Sequence, residues 1–310
     1  MARSTRVALA LGSGGARGYA HIGVIAELTD RGFEVVTVAG SSMGALVGGL
    51  HCAGRLDDYV DWITGLSQLD VVRMMDVSLS KAGVIGAERI LTRVREILGD
   101  VRIEDLDTPF TAVATDLTAG RAVWFQRGPL VDAIRASIAI PGVIAPYEVG
   151  GRLLGDGGIL DPLPVAPTSG VASDVTLGVV IGTDGAPDQG VTREAKTKRL
   201  LRRNVTPILE SEFVRSVRDR LGLEPADTDE PAHENSAEAI RMGRVDVLIR
   251  SLDIMQEALT RYQVAGYPPD ILIRVPRKSV RTLDFHKATE MIALGRTLTA
   301  NALDQLPELT

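Results

Sequence analysis

Two short apolar runs, each closed by glycines and each followed by a helical stretch, constrain this chain more than any other feature. Residues 6–11 read Arg-Val-Ala-Leu-Ala-Leu and stop at Gly12. A run that short and that apolar fits a strand buried on both faces, as a parallel sheet requires. From about Gly18 to Arg31, Ile22, Ile25 and Leu28 recur at helical spacing, and Gly32 ends the stretch. Residues 35–38 repeat the strand pattern, and residues 42–52 the helix, which ends near Gly54. Strand, helix, strand, helix with tight glycine connections predicts an α/β fold with a parallel sheet.

Farther along, helices are expected at 86–98, with Ile90, Val94 and Ile97 on one face, and at 130–136. Strands are expected at 110–114, 122–125, 175–181 and 271–275. A long amphipathic helix runs to Gln263, and a last helix starts near Asp284, which reads as its N-cap. Between about 190 and 235 the composition changes. A basic stretch, 193–220, is followed by a polar, acidic, proline-containing loop, 224–235. The two helices and one strand beyond that loop are too little for an independent core, so residues 1–310 read as one domain with a surface excursion.

At 310 residues and 45% hydrophobic the chain can bury a sizeable core, and with 4% aromatics that core is aliphatic. A net charge of −6 gives no support for a nucleic-acid partner. The single cysteine, Cys52, excludes an intramolecular disulfide; it reads as a small buried hydrophobe and favours a reducing, cytoplasmic setting. Arg3 and Arg6 before the first apolar run imitate a signal peptide. The run is shorter than the ~7–15 residues such a segment needs, and no stretch approaches the ~20 apolar residues of a membrane span.

Three glycine-rich blocks carry the chemistry. Gly40-Ser41-Ser42-Met43-Gly44 lies between a predicted strand and a predicted helix. A nucleophilic serine must project from a sharp turn, and small neighbours let the backbone crowd there. The alternative is a glycine-bounded turn without chemistry. Gly12-Ser13-Gly14-Gly15-Ala16-Arg17-Gly18 comes directly after the first strand. Such a loop can aim successive N–H groups at one point, where a phosphate or a reaction oxyanion could sit. A dinucleotide fingerprint competes, since Gly12 and Gly14 fit it and Glu34 lies about 20 residues on. Loops after adjacent parallel strands emerge at the same sheet edge, so this loop should lie beside Ser42, which favours acyl transfer. The third block, Gly155-Asp156-Gly157-Gly158, is an ordinary turn or an aspartate brought close to another backbone. His21, His51, His233 and His286 all stand in unpromising places for a serine's base, although a Ser-Asp-His order through His286 stays open.

These three blocks, in this order, resemble those of the patatin-like phospholipases, most closely the bacterial esterases related to the neuropathy target esterase catalytic domain. The likeness spans about 6–181 and includes Ala139-Ile140-Pro141-Gly142; Leu283-Asp284-Phe285-His286 resembles the tail of the bacterial members. The resemblance implies a three-layer fold with a mainly parallel central sheet flanked by helices, and a Ser-Asp dyad without histidine. Ser42 would be the nucleophile and Asp156 the base. Backbone N–H groups of Gly14, Gly15 and Ala16 would form the oxyanion hole, supported by Gly12, Arg17, Gly18, Gly40, Gly44, Gly157 and Gly158. The substrate would be a lipid-like acyl ester, with no metal and no organic cofactor. A thioesterase or acyl transferase would use the same residues, and a non-catalytic dinucleotide- or anion-binding module is the non-enzyme alternative. Arg17 either pins the glycine loop or attracts an anionic head group. Residues 137–145 and 71–75, with Met74 and Met75, either line an acyl groove or pack the core. The basic stretch reads mainly as a solvated helix face, with peripheral contact to anionic lipid as its second reading.

Overall fold

The first run of five apolar residues becomes β1 (Arg6–Leu11), the hub of the sheet in a computed structural model that describes residues 4–74, 88–183 and 244–305. β1 is paired in parallel with β2 (Glu34–Ser41) on one side and β7 (Val175–Thr183) on the other. Beyond β7 lies β8 (Ile271–Pro276), also parallel, and beyond β2 lies β3 (Phe110–Asp116). The far edge is antiparallel: β4 (Arg121–Phe125) and β6 (Arg152–Asp156) pair with β3, and β5 (Tyr147–Val149) pairs with β6. The order is β5-β6-β3-β2-β1-β7-β8, with β4 attached to β3.

Alternation along β1 separates two apolar layers. Val7, Leu9 and Leu11 join the larger core, with Ile22 and Leu28 of α1 (Ala20–Asp30), Leu46 and Leu50 of α2 (Met43–Cys52) and Met291 of the last helix. Ala10 belongs to the smaller layer, with Val180, Leu163, Val165 and, at its margin, Val264 of α7 (Arg244–Gly266). Helices and loops therefore cover both faces of the central sheet, giving the expected three layers. Each fully buried leucine contributes about 2 kcal/mol. Cys52 packs at the margin of the larger core, and burial pushes its thiol up to about 12.

Two short helices, α3 (Leu56–Thr64) and α4 (Gln68–Met74), come after α2 and have no counterpart in the sequence pattern. Neither do β5 and β6. α5 (Glu88–Leu98) and α6 (Leu130–Ser137) stand where periodicity places helices. The last helix differs from expectation. It begins at Ala288, as α8 (Ala288–Leu303), and its N-cap position is Lys287. Asp284 instead precedes a short 3-10 turn, Phe285–Lys287, and accepts the N–H of Arg281 through its own carboxylate. By contact the chain divides into Met1–Asp184 with Gly243–Thr310, and Gly185–Met242. The basic stretch, the acidic loop, His233 and Met75 lie outside the described residues. No described helix is long and apolar enough to cross a membrane.

Candidate active site

β2 ends at Ser41 and α2 starts at Met43, so Ser42 alone makes the corner. Its φ of 55° and ψ of −121° make it the only described non-glycine residue with positive φ. Such a conformation costs about 1–3 kcal/mol and persists only where the surroundings hold it. Glycine makes the corner possible: a Cβ on Gly44 would stand 2.0 Å from the carbonyl oxygen of Leu11, and one on Gly40 2.3 Å from that of Gly44. Ser137 holds the corner in place. Its Oγ accepts the Ser42 N–H at 2.9 Å and donates to the Val113 carbonyl at 2.6 Å. Nothing local in the sequence marks Ser137 for this task.

Asp156 reaches Ser42 through a detail of sheet topology. β2 pairs with β3 from Phe110 to Val113, where Ser41 is the last partner. β6 pairs with β3 from Ala114 onward, and Asp156 is opposite Ala114. Because β4 spans both stretches from the other side, β2 and β6 share one edge of β3, end to end. The serine leaving that edge meets the aspartate arriving on it. Ser42 Oγ donates to Asp156 Oδ2 at 2.5 Å, and the Gly158 N–H donates to Oδ1 at 2.7 Å. The backbone of Asp156 is fixed as well: its N–H donates to Ala139 and its carbonyl accepts from Thr115 Oγ1. Asp156 is 2% exposed. Burial raises its carboxyl from 3.8 to about 7, against the opposing hydrogen bonds from Ser42 and Gly158.

The histidines stand elsewhere. His21 is buried behind the glycine loop, with Nε2 2.8 Å from the Gly12 carbonyl, and burial holds it down at about 4. His51 is near the end of α2, lowered by burial, and His286 is in the 3-10 turn before α8.

Gly14, Gly15, Ser42 and Asp156 line one cavity, so the glycine loop does lie beside the serine. Within it, Gly12 donates to Val179 and Ser13 to Pro162. The N–H groups of Gly14 and Gly15 have no acceptor among the described residues. That of Ala16 donates to the Thr282 carbonyl at 2.8 Å, so two of the three expected donors stand free. Gly18 packs on Met43, and Gly157 on the Val113 backbone. Arg17 is 2% exposed and turned away from solvent. Its Nη2 donates to Asp253 of α7 at 2.9 Å and to Thr282 Oγ1 at 2.6 Å, which ties the loop to two other segments. Glu34 opens β2 opposite Arg6, seven residues below Ser41 and so about 23 Å from the loops, too far to serve a nucleotide there.

Two arms of space open from Ser42. The larger, about 830 Å³, is almost wholly apolar. Ile63, Val71, Met74 and Leu91 from α3, α4 and α5 line it together with Ile140 and Val143. Both apolar stretches noted in the sequence therefore contribute to the wall of a cavity at Ser42. The smaller arm, about 380 Å³, runs past Asp156 to α7 and carries most of the polar lining.

Several known proteins are similar to this chain. The patatin-like phospholipase family matches residues 9–168, which contain all three glycine blocks. An NTE family protein of Mycobacterium tuberculosis is 50% identical over 97% of this chain and 92% of its own length. The lysophospholipase nte1 of Emericella nidulans is 32% identical over 57% of this chain and 12% of its own. Among solved structures, VipD from Legionella pneumophila aligns with a TM-score of 0.45 at 15% identity, covering 98% of this chain and 67% of that one. With the family's blocks present in order and a relative matched almost end to end, this chain belongs to the patatin-like phospholipase family, among its NTE members.

Proposed function

We propose that this protein is a serine acyl-hydrolase acting on lipid-like carboxylic esters through a Ser42–Asp156 dyad. The observation that carries the reading is the 2.5 Å hydrogen bond from Ser42 Oγ to a buried carboxylate, with no histidine between them among the described residues. An ordinary carboxylate, near 3.9, is a weak base for a hydroxyl. Burial makes Asp156 a stronger one, close to the pH at which it would work.

In the first step Asp156 takes the hydroxyl proton as Ser42 Oγ attacks the ester carbonyl. The oxyanion is stabilised by the free N–H groups of Gly14 and Gly15, near the N-terminal end of α2. The tetrahedral intermediate then collapses, the acyl–oxygen bond breaks, and Asp156 returns the proton to the departing alcohol. Water, deprotonated by the same carboxylate, then attacks the acyl–Ser42 ester; the bond to Ser42 Oγ breaks, Asp156 returns the proton to that oxygen, and the acid leaves. The larger arm receives the acyl chain, since each methylene moved from water into it gains about 0.8 kcal/mol. Arg17 serves the loop as a brace, because Asp253 already neutralises it. Residues 1–310 are one acyl-hydrolase domain in this reading, and a thioester would be cleaved by the same atoms. Fluorophosphonate treatment with peptide mapping tests it. A single adduct on Ser42 is expected, and an adduct on Ser41 or Ser13 would refute the assignment.

A further inference from the structure

The smaller arm contains polar groups that the hydrolysis itself leaves unused. Ser13 is 7% exposed, and its Oγ has no hydrogen-bond partner among the described residues. The side-chain amide of Gln256, on α7, has none either. Both press on Gly158: a Cβ there would stand 2.5 Å from Ser13 Oγ and 2.6 Å from Gln256 Nε2. The hydroxyl and the amide therefore lie within about 5 Å of each other, over the residue whose N–H holds Asp156. Thr282 lines the same arm; its Oγ1 accepts from Arg17, which leaves its proton free to donate. The one carboxylate on this wall besides Asp156 is Asp253, paired to Arg17.

An ester held at Ser42 sends its acyl chain one way and its alcohol another. With the apolar arm matched to the chain, the alcohol must enter the arm that holds these groups. We propose that Ser13 and Gln256 form the subsite for a leaving alcohol that carries free hydroxyls. This rests on the hydrolase reading above and extends it to the alcohol. An amide and a hydroxyl each donate and accept, as a polyol's hydroxyls do, and so can satisfy several at once. A site with such groups unpaired disfavours an alcohol that cannot bond to them. Glycine at 158 keeps the arm open, because any side chain there would displace both recognising groups.

The full-length protein is tested with two esters of one fatty acid, the 1-monoacylglycerol and the methyl ester, which differ only in the alcohol. The wild type should favour the glycerol ester in kcat/KM by tenfold or more. Gln256→Leu and, independently, Ser13→Ala should lower that ratio at least fivefold, mainly through KM. The two variants sit on different elements, so one misfolded variant leaves the other to decide. A wild-type ratio near one, or a ratio unchanged in both variants while both esters are cleaved, overturns the subsite and leaves the hydrolase standing. Failure to cleave either ester, with no fluorophosphonate adduct on Ser42, overturns the hydrolase reading and the subsite with it.

Discussion

Replacing Asp156 by asparagine should abolish activity and, above neutral pH, make the protein more stable. The carboxyl is raised from 3.8 to about 7, first by burial, with the hydrogen bonds from Ser42 and Gly158 opposing. A raised acid keeps its proton in the folded chain at pH values where the unfolded chain has lost it. Its contribution to stability is therefore fully present below about pH 4 and is lost as pH rises through about 7. Each pKa unit is worth about 1.36 kcal/mol, so the whole loss is about 4 kcal/mol, of which about 3 kcal/mol falls between pH 5 and 8. The asparagine of Asp156→Asn would be neutral throughout. Its side-chain oxygen can still accept the Gly158 N–H, so its own contribution should not vary with pH. Urea unfolding of both proteins at pH 5 and pH 8 measures the difference directly. The advantage of Asp156→Asn should grow by about 3 kcal/mol across that interval, while wild-type kcat/KM rises through about pH 7 as the base ionises. An advantage equal at both values, or an Asp156→Asn enzyme that still turns over ester, would refute the reasoning.

The same geometry makes three other substitutions informative. Ser42→Ala should remove fluorophosphonate labelling and ester hydrolysis, and by deleting an opposing hydrogen bond it should raise Asp156 further, seen as a steeper fall in stability above pH 7. His286→Ala should retain most of kcat, because His286 stands in the 3-10 turn before α8 rather than between serine and aspartate; loss of all activity in a folded variant would restore a histidine triad. Arg17→Met should cost about 3 kcal/mol in chemical denaturation, since it leaves Asp253, only 19% exposed, without its cation. Its catalytic defect should appear in kcat more than in KM, as expected of a brace on the oxyanion loop.

Much of this protein could be read from local pattern. The apolar runs ending at Gly12 and Gly40 specified buried parallel strands, because a strand covered on both faces has no polar positions to alternate. The spacing of Ile22, Ile25 and Leu28 specified the helix between them, and all three are buried in its core. The glycines around Ser42 announced a corner too tight for side chains, which the 2.0 Å approach of Gly44 to Leu11 explains. What local pattern could not contain was decided by tertiary structure. β6 was invisible because its five residues include Gly155 and Asp156 and only part of it is buried, so its periodicity is weak. Yet β6 takes the edge of β3 that β2 vacates, and that places Asp156 against a serine 114 residues away. Ser137, Thr282, Asp253 and Gln256 come to the site only through packing between elements. The Ala16 N–H is occupied for the same reason, since Thr282 arrives from a distant segment of the chain. Periodicity and turn chemistry encode which residues form an element, whereas the sheet's strand order, a property of the whole chain, sets which elements end side by side.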